Sequence, residues 1–369
     1  MATKTSMPRP VDARPEGALS AVLAFVAGAV TLSVGIGLGL PHLKAGSAGG
    51  AALGLVALVT GLTLTGFAAV VVVRRVRGWW RLLVVPVLVV FVLVAALSLG
   101  QAVAATQVPR TAIGSSAPAR WGLTYSDAAF ETSDGVRLSG WYLPSTNGAA
   151  VVVLHGAGST RTDALDQAVV LARHGYGVLV FDARGHGRSA GRAMDFGWYG
   201  DEDVSAAVSY LQSRPDVHAG IGALGLSMGG EEALGAAAQD PRIHAVVAEG
   251  ATSRAPADRE WLSDEYGWRG ALQEGIDRLT YGVADLLTPA HKPTSLRNAA
   301  AAVAPRPVLL IAAGALPDEE NADRYIQSGS PRSVQLWVVP DAGHTQGLRV
   351  EPGQWEQRVI AFFDSGLLG

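Results

Sequence analysis

The run Ile221-Gly222-Ala223-Leu224-Gly225-Leu226-Ser227-Met228-Gly229-Gly230-Glu231-Glu232-Ala233-Leu234 changes period at its serine. The residues before Ser227 are an unbroken apolar stretch of strand length, and those after it open a helix. Gly225-Leu226-Ser227-Met228-Gly229 lies between them, with small residues that leave room for a sharp strand-to-helix turn exposing the serine. An apolar run without alternation marks a strand covered on both faces, as in a parallel sheet flanked by helices.

The pattern repeats outward from this point. Residues 149–154, 177–181, 243–248 and 307–312 read as further buried strands, and 333–339 as one more. Amphipathic stretches at 163–174, 201–214, 228–239, 318–327 and 353–363 alternate with them. The alternation predicts an α/β domain with a mostly parallel sheet. Residues 125–131 and 136–143, joined across Ser133-Asp134-Gly135, predict an antiparallel hairpin ahead of it.

Ser227 is the nucleophile candidate. A second string of the same form, Gly187-Arg188-Ser189-Ala190-Gly191, starts several residues beyond its strand and runs into polar sequence, so Ser189 reads as a loop residue. A serine hydroxyl needs a base. Of the eight histidines, His344 stands in Pro340-Asp341-Ala342-Gly343-His344-Thr345, straight after the last strand. Catalytic groups of open α/β sheets gather at that edge. The carboxylate that orients the imidazole is sought after strand 307–312, in residues 314–320. Asp318 is the choice, Glu319 the close competitor and Glu249 a more distant one; each also fits an ordinary helix-terminal carboxylate. His155-Gly156-Ala157-Gly158 ends strand 149–154, and the amides of Ala157 and Met228 are the candidate oxyanion donors. His155 itself reads as structural.

These pieces resemble the α/β-hydrolase superfamily: His155-Gly156, the loop from Asp182 to Ser189, Gly-Leu-Ser-Met-Gly, and Gly343-His344, in the order Ser, acid, His. The resemblance covers roughly residues 121–365. It is closest to branches containing monoglyceride-lipase-like enzymes, acyl-thioesterases and serine aminopeptidase-like proteins. It implies the α/β-hydrolase fold, a Ser-His-Asp mechanism, no cofactor and no metal. One departure concerns the acid, which usually stands three residues after the glycine, whereas Asp318 is four after Gly314. The insert at 251–298 resembles a lid, and its apolar residues (Trp261, Tyr266, Trp268, Leu272, Leu279) suit an acyl chain or another apolar ester.

The N-terminal part is different. Residues 17–109 contain no acid, and apolar runs at 18–40, 51–73 and 82–105 are long enough to cross a bilayer core of ~30 Å. They predict a membrane domain over 1–110, a linker at 111–120 and the hydrolase domain over 121–369. Lys4, Arg9 and Arg14 in the tail and four arginines at 74–81 predict cytoplasmic segments. The first link and the large C-terminal part are then extracytoplasmic, as in a multi-pass cell-membrane protein. Gly35 and Gly39 form a small-xxx-small pair suited to helix packing. No charge lies within the spans, so nothing supports a transporter.

Composition narrows the choice. Only 17% of the 369 residues are charged, 49% are hydrophobic, and there is no cysteine. Disorder, nucleic-acid binding, disulfides and a thiolate nucleophile are excluded. The expectation is a membrane-anchored serine hydrolase acting on a small-molecule or lipid-like ester or thioester. A serine peptidase or amidase on the same scaffold, or an inactive binding domain, are the alternatives.

Overall fold

The computed structural model describes residues 16–369. Lys4, Arg9 and Arg14, which entered the orientation argument, lie outside the described residues. The chain divides into two units, Met1–Gln101 and Ala102–Gly369.

The first unit is built on α1 (Glu16–Lys44), α2 (Ala48–Arg75) and most of α3 (Arg81–Thr106). Each gives a segment long and apolar enough to cross a membrane. α1 and α2 form a tight antiparallel pair because glycine lets their backbones meet. A Cβ at Gly35 would fall 2.3 Å from the Leu58 nitrogen, and one at Gly61 would fall 2.2 Å from that of Leu32.

The second unit is an eight-stranded sheet with helices on both faces. β1 (Ser126–Glu131) and β2 (Arg137–Leu143) form the expected hairpin. Gly135 turns it with φ 81°. β3 (Ala150–Leu154), α4 (Leu165–Arg173), β4 (Gly177–Asp182), α5 (Gly200–Gln212), β5 (Ile221–Leu226), α6 (Met228–Gln239) and β6 (Ile243–Glu249) follow. The insert then carries α7 (Leu262–Tyr266) and α8 (Trp268–Leu287). α9 (Leu296–Val303), β7 (Val308–Ala313), α10 (Pro317–Gln327), β8 (Val334–Val339), α11 (Gly347–Val350) and α12 (Pro352–Leu367) complete the unit.

Strand order is β1-β2-β4-β3-β5-β6-β7-β8, with only β1 and β2 antiparallel to their neighbours. The apolar runs feed two cores. Val152, Leu154, Val308 and Leu310 face one side with α5, α6 and α9. Val151, Val153, Leu309 and Ile311 face the other with α4 and α12. Order reverses about β3, with β4 on one side and β5 on the other, and the C-terminal end of such a switch point is where ligands bind in open α/β sheets.

Arg110, at the end of the expected membrane domain, and residues 111–117 of the expected linker lie along the α/β unit. The Arg110 guanidinium donates to the Ser189 carbonyl at 2.5 Å, and the Gly187 amide donates to the Thr111 carbonyl at 3.0 Å.

Candidate active site

Ser227 follows β5 and caps α6 with φ 54° and ψ −123°. A non-glycine residue there carries strain of about 1–3 kcal/mol, sustained only when its surroundings fix it. They do. The Ser227 amide donates to the Glu249 carbonyl at 2.7 Å, and the Gly230 amide donates to the Ser227 carbonyl at 2.8 Å. Gly225 lets strand and helix touch, since a Cβ there would lie 2.0 Å from the Gly229 carbonyl oxygen. Among the described residues Ser227 Oγ has no hydrogen-bond partner.

His344 follows β8. Its Nδ1 lies 2.7 Å from Glu319 Oε2. A carboxylate only accepts, so Nδ1 carries the proton and Nε2 is left as the basic nitrogen. The other Glu319 oxygen, Oε1, accepts from the Ala313 amide at 2.8 Å, which ties the carboxylate to the end of β7. The Glu319 hydrogen bond raises the His344 pKa above its ordinary value, against desolvation. The same sheet edge brings serine and histidine together. Leu226 of β5 pairs with Glu249 of β6, and a Cβ on the next residue, Gly250, would fall 2.8 Å from His344 Cε1. No hydrogen bond joins Ser227 Oγ to His344; in such sites that bond is often long until substrate binds.

The acid beside His344 is therefore Glu319, and the choice of Asp318 is corrected. Pro317 is the first helical residue of α10, and the helix buries Glu319, Ala322, Asp323 and Ile326 on its inner face. Asp318 is on the outer side, where the Tyr266 hydroxyl donates to it. The inward spacing 319, 322, 323, 326 was available in the sequence, and Ala322 and Ile326 mark it. Glu249 has a different task. It accepts from the Gly347 amide at 2.7 Å and from Trp355 Nε1 at 2.9 Å, holding the segment that follows His344.

The turn after β3 touches the serine: a Cβ at Gly156 would come 3.2 Å from Ser227 Cβ. Ala157, next in the chain, is exposed, and Met228 starts α6. Neither amide has an acceptor among the described residues. His155 is structural in its contacts. Its Nε2 accepts from the Ala183 amide at 3.0 Å, and its Nδ1 donates to the Gly156 carbonyl at 2.8 Å. Burial lowers its pKa, consistent with the neutral form these bonds require. Ser189 is buried; its Oγ donates to the Asp182 carbonyl at 2.5 Å and accepts from the Ser139 amide at 2.9 Å.

Two buried acids near the pair carry no sequence signal of their own. Glu231, one turn into α6, accepts from the amides of Thr252 and Ser253 at 3.1 and 2.9 Å, and burial pushes its pKa up to about 7. Asp323 lies one turn beyond Glu319, fully buried with neither oxygen hydrogen-bonded, and burial holds its pKa far above the usual carboxylate range. A cavity of about 450 Å³ lined by Arg184, Trp198, Tyr199 and Lys292 is separate; neither Ser227 nor His344 lines it.

The fold and this edge define a class: the chain belongs to the α/β-hydrolase superfamily. A family model described as serine aminopeptidase, S33, matches residues 145–288. An uncharacterized protein of Mycobacterium tuberculosis is 32% identical over 224 residues, 59% of this chain and 72% of that one. The thiohydrolase aneE of Aspergillus aculeatus is 36% identical over 129 residues, 34% of this chain and 41% of that one. Among solved structures, the Pyrococcus furiosus esterase Pf2001 is 25% identical with a TM-score of 0.56, covering 70% of this chain and 97% of its own.

Proposed function

We propose that the chain is a membrane-anchored serine hydrolase that cleaves a carboxylic ester or thioester through an acyl-enzyme. Ser227 Oγ attacks the carbonyl carbon while His344 Nε2 takes its proton. Glu319 holds the imidazole and stabilises its charged form. The Ala157 and Met228 amides receive the oxyanion. The imidazolium then returns the proton to the leaving group, and water, deprotonated by His344, releases the acyl group. The observation that carries this reading is the 2.7 Å bond from His344 to Glu319 at the sheet edge that also presents Ser227.

The resemblance to an esterase and to a thiohydrolase supports ester or thioester cleavage. Of the insert's apolar residues, Trp261 is buried in a cluster with Ala322, and Trp268, Leu272 and Leu279 are exposed, so the expected acyl-chain lining is not carried by them. A peptidase or amidase is the second reading, favoured by the description of the family model. Three apolar helices and the arginine-rich link at 74–81 support anchorage in the cell membrane with the α/β unit on the extracytoplasmic side.

The test uses the full chain with a fluorophosphonate probe, p-nitrophenyl esters of graded acyl length and aminoacyl anilides. Labelling that is lost in Ser227→Ala, with ester turnover above anilide turnover, is expected. Ser189→Ala should keep labelling and lose about 1–2 kcal/mol of stability, because the Ser139 amide loses its acceptor. Labelling that survives Ser227→Ala would remove the nucleophile assignment, and faster anilide turnover would favour the peptidase reading.

A further inference from the structure

The helix α8 of the insert is amphipathic in an unusual sense: its polar residues face inward. Its buried side holds Glu274, Asp277, Thr280 and Tyr281 with Gly270, Ile276 and Ala284. The acids there are engaged. Glu274 accepts from the Ser263 amide at 2.7 Å, and Asp277 pairs with Arg259 at 3.3 Å. The outward side carries Trp268, Leu272, Leu279 and Leu286, exposed by 73, 55, 52 and 83%. Gly275 and Gly282 fill the intervening steps, giving spacings of three and four residues, so the six positions form one stripe along the helix.

Charge identifies the occupant. The exposed residues of α8 are Trp268, Arg269, Ala271, Leu272, Arg278, Leu279, Gly282, Leu286 and Leu287, with no carboxylate among them. Arg269 and Arg278 flank the stripe on opposite sides at 100° per residue. The third acid of the helix, Asp285, is half-buried and paired with Lys292 at 2.8 Å. Residues 111–369 as a whole carry twenty Lys and Arg against thirty Asp and Glu, so an anion-free face runs against the local composition. An apolar stripe edged by arginine, with a tryptophan at one end, matches the interface of a bilayer containing anionic lipid. The same chain carries helices of bilayer-spanning length, joined covalently to the α/β unit.

We infer that the outer face of α8 is a lipid-docking surface that seats the insert on the headgroup and acyl boundary of an anionic membrane. The inference rests on the membrane anchorage proposed above but not on catalysis, so a failed triad leaves it standing. Occupancy by lipid also sets the substrate side of the insert, because an ester partitioned in the same leaflet reaches the domain without crossing bulk water.

The natural lack of cysteine makes the test direct. Leu272→Cys, Leu279→Cys and, as a control on an exposed site elsewhere, Arg332→Cys are made in the full chain and labelled with an environment-sensitive fluorophore. Each is reconstituted, at no more than one chain per vesicle, into phosphatidylcholine with a minority of phosphatidylglycerol, with and without headgroup-region nitroxide lipid. Co-flotation with the vesicles reports anchorage. The expected result is nitroxide quenching and blue-shifted emission at positions 272 and 279 and neither at 332. A chain that floats but shows no quenching at the stripe overturns docking while leaving anchorage intact. A blue shift that appears only as copies per vesicle rise, without quenching, assigns the stripe to a second copy and also overturns it. A chain that does not float overturns anchorage and docking together.

Discussion

Glu319 and Asp318 are adjacent in sequence and end on opposite sides of one helical turn. The first reaches His344 and the Ala313 amide; the second meets the Tyr266 hydroxyl. Glu319→Gln is expected to lower kcat by roughly four orders of magnitude, the scale seen when an orienting carboxylate is lost. Asp318→Asn should leave kcat near wild type. Steady-state kinetics on the two variants decide it, and the opposite ranking would return the role to Asp318. The pH dependence follows from the same bond. The carboxylate favours the imidazolium, so the pKa of His344 is raised. The base must be neutral, so kcat/KM is full above that raised value and is lost as pH falls through it. The acid limb should therefore lie above the model histidine value of ~6.5. In Glu319→Gln it should move to lower pH. A limb that does not move belongs to another group.

At the scale of elements, the β5–Ser227–α6 turn depends on backbone contact that only glycine permits. Gly225→Ala would place a Cβ 2.0 Å from the Gly229 carbonyl oxygen, so strand and helix must separate. Overpacking of this kind costs about 1–3 kcal/mol. The expected outcome is a lowered Tm together with loss of fluorophosphonate labelling, measured by thermal denaturation and by gel. Unchanged labelling would mean that the serine's positive φ is dispensable for its reactivity. α10 gives the complementary lesson. Its phase, set by Ile326 in the core of the sheet and Ala322 against Trp261 and Leu262 of the insert, turns position 319 inward and position 318 outward.

At the scale of the whole chain, sidedness rests on the arginines of the second link. A cysteine at Gly78 should be shielded from an impermeant maleimide on intact cells, and one at Ser116 should label. The reverse pattern would put the α/β unit in the cytoplasm. Both positions are informative because the chain has no other cysteine.

The strand–helix alternation, the serine at its turn, the histidine after the last strand and the three apolar helices were legible in the sequence alone. Each is a local pattern: a run length, a period, or glycines at fixed spacing. The sequence also narrowed the acid to three carboxylates. Tertiary structure decided the rest. It set Glu319 beside His344, made Glu249 a brace for Gly347 and Trp355, and turned Ser189 into a buried loop tie. It also laid residues 110–117 along the α/β unit and left the apolar stripe of α8 facing outward. The physical reason is common to all of these. Residue type fixes what a side chain is able to do, but its direction is set by the rotation of its element against the sheet, and that rotation is fixed by the packing of residues distant in sequence.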